Sequence, residues 1–485
     1  MLRGITLLVG SAALLVLIHL PYVRLPFHWD EMGQFVPAAL DIYREGWWVP
    51  QSTLPNVHPP GLMAVVALVW RVFGYSILSS RLTMLAIAAL GVALSFRLTW
   101  RLTGRKFLAP AVMSSLFLIA APIFYTQSMM VLLDMPAMTL TVAALLLFLS
   151  RRYGLCAMAC VALVLIKETA ITAPAVFGSW LLFKERRRME ALYFAAPALA
   201  LGIWLIILHR ATGHWLGNEE FTQYNVGSAL EPFHIFFATL SRAWFLFVAD
   251  GHFIGMVALI FGWRVLRGSE WTISFLVAGA QLLVVTVFGG AELERYVVPV
   301  LPILYAAMAA AALVLTTRWR WASQGVMLAL LVAGWFWTSP FPLPYEDNLA
   351  MVDFVRVQED AAHYLEEHYP SARIASAWPF TDAIMHPEFG YVRQPMHALK
   401  ASELHIANIA ALGRDNFDLQ VVFPNKKPVK GSVLDIAPLR NFLRHYYDYE
   451  PQASAEEIRQ SIGFSPIQRW QRGSQWVEIY APSQR

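Results

Sequence analysis

The side chains able to do chemistry stand in a few short stretches of an otherwise apolar chain. They are Asp30-Glu31 in FHWDEMGQF, His58 in VHPPG, Asp134 in VLLDMPAMT, Lys167-Glu168-Thr169, and Arg295-Tyr296 in AELERYVVPVLP. A carboxylate such as Asp30 suits a general base that takes a proton from a hydroxyl as its oxygen attacks an electrophilic carbon. Lysine offers a phosphate a point charge, and arginine a two-pronged donor. The His58 imidazole suits a phosphate or a hydroxyl, its cationic form favouring the phosphate. Each position also has a plainer reading. Asp30-Glu31 fits an acidic helix start, and His58 fits a turn before two stiff prolines. Asp134, two residues before Pro136, fits the first turn of a helix. Lys167 has Glu168 or Asp134 as ion-pair partner, and Arg295 has Glu292 or Glu294. For Asp134, capping does not explain why a charge stands at membrane depth instead of serine or threonine, since a charge at a span centre costs ~2.5 kcal/mol or more.

A membrane is what must position these residues. The 485 residues are 57% apolar and 14% charged, with a mean hydropathy of +0.50, whereas a soluble domain carries roughly 25% charge. Residues 1–340 hold 38 of the 70 charged side chains, or 11% of their length, and residues 341–485 hold 32, or 22%. The first part is therefore membrane-like and the second soluble-like. The net charge of +4 and pI near 9 follow from basic turns between spans and exclude a nucleic-acid surface as their cause. Cys156 and Cys160 both lie in an apolar stretch and support no disulfide framework.

The pattern predicts about eleven spans, at 5–23, 82–100, 107–126, 132–150, 153–167, 169–183, 191–208, 243–263, 271–289, 296–316 and 321–339. With the amino terminus cytoplasmic, the inner turns collect 15 Lys/Arg and 3 acids, and the outer ones 8 and 12. The apolar stretch 58–74 would reverse every later basic turn if it crossed, so it reads as an interfacial helix within a long external loop, 24–80. Lys167 and Glu168 divide two short spans at their external end. Pro340, Pro342 and Pro344 mark a boundary between a transmembrane domain, 1–340, and an extracytoplasmic α/β domain, 341–485. In the latter, 352–369 and 436–448 read as helices, 373–378 and 419–423 as short strands, and WVEIY at 476–480 as an edge strand. The topology puts Asp30, His58, Asp134, Lys167 and Arg295 on one external face, where they are expected to share a pocket.

In their order, these features resemble the glycosyltransferase-C superfamily, in the branch of protein O-mannosyltransferases and lipid A aminoarabinose transferases. The resembling residues run from 1 to about 310: Asp30-Glu31 after the first span, His58-Pro59-Pro60-Gly61 before an apolar helix ending at Phe73-Gly74, and Arg81-Leu82 opening the second span. Gly104-Arg105 in a basic turn, LLDMP around Asp134, Lys167, and Arg295-Tyr296 with Pro299 and Pro302 complete the series. Val57-His58 stands where the lipid A branch has a Glu-Lys pair.

The resemblance implies a multi-pass inner-membrane enzyme. It would transfer a hexosyl or pentosyl group, with inversion, from a polyprenyl-phosphate donor to a hydroxyl of a lipid, glycan or protein at the extracytoplasmic face. Carried onto this sequence, Asp30 is the base or acceptor-orienting carboxylate and Asp134 the second carboxylate. Lys167 and Arg295 bind the donor phosphate with His58 nearby, and Glu31 and Tyr296 join in substrate binding. A leaving group with one phosphate needs no nucleotide loop and no obligatory metal, and the chain has neither a P-loop nor a G-x-G-x-x-G fingerprint. Asp30, Glu31, Asp134 and His58 have the ligand types for a divalent cation. Two competing readings are a flippase or transporter of lipid-linked sugars, disfavoured because no repeated halves are visible, and a sensor whose residues 341–485 bind a ligand.

Overall fold

The structure is a computed structural model that describes residues 2–290, 293–337, 346–424, 435–447, 449 and 452–483. The expected boundary at 340/341, and Glu292, lie outside the described residues. The chain forms two compact units: Met1–Pro21 with Gln34–Phe336, and Tyr22–Gly33 with Trp337–Arg485. The start of the first loop, which carries Asp30 and Glu31, therefore belongs to the second unit.

Apolar composition makes the first unit helical, because only internally hydrogen-bonded backbone is stable in hydrocarbon. Five helical stretches are long and apolar enough to cross a bilayer: Ile77–Leu102, Arg188–Thr212, Ala249–Leu266, Ser269–Val287 and Glu294–Val314. Shorter apolar helices, among them Gly4–His19, Leu108–Ala120, Asp134–Leu149 and Tyr153–Val164, fall on other expected spans; of the five long stretches, Ala249–Leu266 opens on a kink, so an unbroken long helix lies on four of the eleven. Leu199, Ile203, Ile206 and Ile207 on one helix, and Phe253, Val257, Ile260 and Phe261 on another, point outward. Apolar faces of this extent require a lipid surround, and the protein is a membrane protein. Inside, Phe148 stacks on Phe177 at 4.5 Å in a core that also buries Cys156 and Cys160.

One expected span is corrected. The stretch 243–263 is not continuous: Pro232–Phe247 ends before Asp250 (φ 53°) and Gly251 (φ 86°), and a second helix runs from His252 to Gly262. Two left-handed residues in succession cannot continue a right-handed helix, and Asp-Gly is a turn dipeptide that the apolar run concealed. The stretch 58–74 contains the helix Gly61–Phe73, whose 13 residues span about 20 Å against a hydrocarbon core of about 30 Å.

The second unit is a five-stranded sheet with helices. The strands are β1 (Arg373–Ala377), β2 (His397–Ala401), β3 (Leu419–Val422), β4 (Phe464–Arg472) and β5 (Gln475–Pro482), in the order β2-β1-β3-β5-β4. β1 runs parallel to β2 and β3, and β5 antiparallel to β3 and β4. Helix Ala350–His368 buries Phe354, Val355, Val357, Ala361, Ala362 and Leu365 on one stripe. The WVEIY strand, expected at an edge, lies inside the sheet, and the edge next to it is β4. Alternation reports one buried face but not a strand's place in the order. The edge signal is Pro466 with the bulge between Pro466 and Gln468, since proline lacks the donor an inner strand needs. At the amino ends of β1 and β3, hydrogen bonds from the Arg373 side chain and backbone hold the Asp418 carboxyl down at about 2.

Candidate functional site

Asp134 opens the helix Asp134–Leu149, with Leu133 as its N-cap and no side-chain cap bond. Its carboxylate is 2% exposed and is turned to cations: Lys167 Nζ donates to Oδ1, and Arg295 Nε lies 3.5 Å from Oδ2. Lys167 comes from an extended residue just before the 3-10 turn Glu168–Ile171, where the helix Tyr153–Val164 has ended. Arg295 comes from the 3-10 stretch Glu294–Val300, which holds Pro299. Lys167 Nζ sits 4.4 Å from the centre of the Tyr296 ring, with the Arg295 and Arg242 guanidiniums each at 5.8 Å. Ionised side chains this deeply buried need paired, hydrogen-bonded surroundings. Two cations converging on one carboxylate make an arrangement in which an anionic oxygen can share both donors.

His58 reaches the same region through Glu168, the residue after Lys167. Its Nδ1 is 2.8 Å from Glu168 Oε2, and its ring lies 5.9 Å from Phe35 and 5.7 Å from Phe221. Three residues on, the Gly61 amide donates to the Leu165 carbonyl at 2.9 Å. A Cβ at Gly61 would stand 2.4 Å from that carbonyl oxygen, so the HPPG element can lie against the Lys167 turn only with glycine there. Gly61→Ala is expected to destabilise the protein by about 1–3 kcal/mol, the usual cost of overpacking. A thermal melt in detergent reads this, and an unchanged midpoint would show that the backbone yields freely.

Asp30 and Glu31 differ sharply in setting. Glu31 is fully buried, and its Oε2 accepts the His28 backbone N–H at 2.9 Å. Asp30 is half-exposed. Both follow Trp29, whose φ of 49° places a bulky residue in the left-handed region at a strain of about 1–3 kcal/mol. Aromatic packing holds it there: the Trp29 ring lies 4.5 Å from Trp378 and 6.2 Å from Phe354.

The structure thus brings Asp134, Lys167, Arg295 and Tyr296 together and links His58 to them through Glu168, all within the first unit, while Asp30 and Glu31 lie in the second. Among the alternative partners for Lys167, Asp134 is the one found. Sequence reasoning gave three residues no role in the site. Glu168 was seen only as a partner for Lys167. Arg242 is buried and donates to the carbonyls of Leu293 at 3.3 Å and Val285 at 2.8 Å. Arg81, fully buried, donates to Met129 O at 3.0 Å and so holds the non-helical segment that leads into Asp134. A charge inside an apolar run was the available signal for Arg242. Among the described residues, no group of three or more His, Cys, Asp or Glu side chains is placed to hold a metal ion.

No protein-family model matches the chain, and no curated protein matches it. Solved structures do. The chain is similar to ArnT from Cupriavidus metallidurans bound to undecaprenyl phosphate, with 15% identity and a TM-score of 0.59 over 98% of this chain and 97% of that one. The apo state of the same protein matches with 15% identity and a TM-score of 0.55, over 97% and 98%. This likeness establishes the fold. The chain has the fold of that protein, in line with the order of its motifs.

Proposed function

We propose that this protein is an inverting glycosyltransferase that moves a hexosyl or pentosyl group from a polyprenyl-phosphate donor to a hydroxyl acceptor at the extracytoplasmic face of the inner membrane. The observation that carries this reading is the buried convergence of Lys167 and Arg295 on Asp134 beside Tyr296. Its support is the shared fold with a protein whose structure holds undecaprenyl phosphate. In the reaction, the acceptor oxygen attacks the anomeric carbon as Asp30 takes its proton. The bond from that carbon to the phosphate oxygen breaks, and the phosphate leaves with the bonding pair. Lys167 and Arg295 meet the charge growing on that oxygen, which is where fixed donors contribute most. Asp134 keeps the two cations in place, and His58 with Glu168 flanks them.

Helix length supports a recessed site. Tyr153–Val164 has 12 residues, or about 18 Å of rise. With Arg151, Arg152 and the KERRR turn on the cytoplasmic side, a rise of this length leaves the Lys167 turn short of the outer surface of a hydrocarbon core about 30 Å thick. Mass spectrometry of lipids from cells with and without the protein tests the function. A glycosylated carrier lipid is expected to accumulate in its absence, and identical lipid profiles would overturn the reading. For the orientation, a cysteine in place of the exposed Gln460 is expected to react in intact cells with a membrane-impermeant maleimide. Labelling only after lysis would invert the topology.

A further inference from the structure

The second unit has the layout of a ligand-binding α/β sheet. Its parallel part runs β2-β1-β3, so the connections leave β1 and β3 in opposite directions, and in open sheets ligands bind at the carboxyl ends beside such a reversal. Those ends continue here into Trp378 after β1 and Phe423 after β3. What lies against them is the chain's own first loop. The Trp29 ring packs edge-on to Trp378 and Phe354, and Phe354 in turn meets Phe423 at 6.0 Å. His28 packs on Phe354 at 5.3 Å. Two backbone-directed bonds fix the segment: Phe27 N–H donates to Phe389 O at 3.0 Å, and the buried Tyr391 hydroxyl donates to Phe27 O at 2.9 Å. At the far end of the turn, a Cβ on Gly33 would come 3.4 Å from the Trp378 ring.

We infer that the second unit is an internal receptor for the Phe27–Glu31 segment, and that Trp378 and Tyr391 are positioning residues for Asp30. Both ends of the turn are gripped, by Phe389 and Tyr391 at Phe27 and by Trp378 at Trp29 and Gly33. Trp29, held by the second grip, keeps a left-handed backbone that the packing maintains, and Glu31 closes the turn on His28. Asp30 and Trp29 are the half-exposed members of a turn whose Phe27, His28 and Glu31 are buried, so the backbone that carries Asp30 is set by the sheet. A carboxylate required to meet a hydroxyl proton at hydrogen-bond distance gains from such fixing, because misplacement of about 1 Å costs on the order of 100-fold in rate. The inference rests on the proposed role of Asp30 and gives the C-terminal residues a task without a ligand of their own.

The test uses the full chain in nanodiscs, with Trp378→Ala, Trp378→Phe and Tyr391→Phe. Hydrogen exchange read by mass spectrometry over residues 25–33 is expected to quicken at least about tenfold in Trp378→Ala and less in Tyr391→Phe, with Trp378→Phe near wild type. Transfer kcat is expected to fall about 10- to 100-fold in Trp378→Ala with the donor KM unchanged, and Trp378→Phe is expected to restore most of it. Unchanged exchange in both Trp378→Ala and Tyr391→Phe would overturn the inference, as would a loosened segment with normal kcat. If the wild type neither binds undecaprenyl phosphate nor transfers sugar, the proposed function falls. The exchange comparison then still decides whether the second unit holds this segment.

Discussion

Replacing Asp30 with asparagine is expected to lower the rate of sugar transfer by about 100- to 10,000-fold, the range for losing a general base, while the affinity for undecaprenyl phosphate stays as it was. Asparagine keeps the size and one acceptor oxygen but cannot take a proton at neutral pH. The change falls in the second unit, whereas the cations proposed for the phosphate belong to the first, so binding and chemistry should separate cleanly. The neighbouring acid behaves differently. Glu31 is buried with its carboxylate on the His28 amide, so Glu31→Ala is expected to loosen the turn and lower the melting temperature as well as the rate. Steady-state kinetics together with binding of undecaprenyl phosphate check the first result, and near-normal kcat in Asp30→Asn would remove that residue from the mechanism.

The second large effect is at Lys167. Lys167→Met deletes a buried donor to Asp134, and breaking one side of a buried ion pair typically costs about 3–5 kcal/mol. It also deletes a proposed phosphate ligand. A hydrogen bond to a charged group contributes about 1.5–3 kcal/mol, which predicts a loss of roughly 10- to 100-fold in affinity for undecaprenyl phosphate. Asp134→Asn added to this variant separates the two effects. It withdraws the charge that Lys167 balanced and leaves an amide oxygen toward Arg295, so most of the stability should return without the affinity. Thermal melts and lipid titration of the single and double variants measure both. A double variant that binds undecaprenyl phosphate like the wild type would take Lys167 out of the phosphate site.

Much of the architecture was legible because the bilayer imposes a strong rule. Long uncharged runs separated by basic turns have few physical outcomes, and helices lie on the runs at 82–100, 191–208, 271–289 and 296–316. The run 243–263 was misjudged because hydropathy averages over a turn: Asp250-Gly251 weighs little among its apolar neighbours, yet its left-handed backbone ends one helix and begins another. WVEIY was placed at an edge because its alternation reports facing, while sheet order depends on partners far along the chain.

For the site, residue type and the cost of charge in hydrocarbon were enough to single out Asp134, Lys167 and Arg295, since burial of such groups has to be compensated wherever it occurs. Sequence by itself determined that costly charges exist, which residues they are, and that they lie near the ends of apolar runs. Their partners were decided only in three dimensions. Lys167 has an adjacent glutamate, yet it bonds Asp134, 33 positions away, and Glu168 turns to His58, 110 positions away. Tertiary structure also decided that Trp29 and its following acids belong with strands almost 350 residues later. The reason is physical: local composition sets what a segment must bury or pair, but the partner that satisfies it is whichever group the packed helices and sheet bring within a few ångströms.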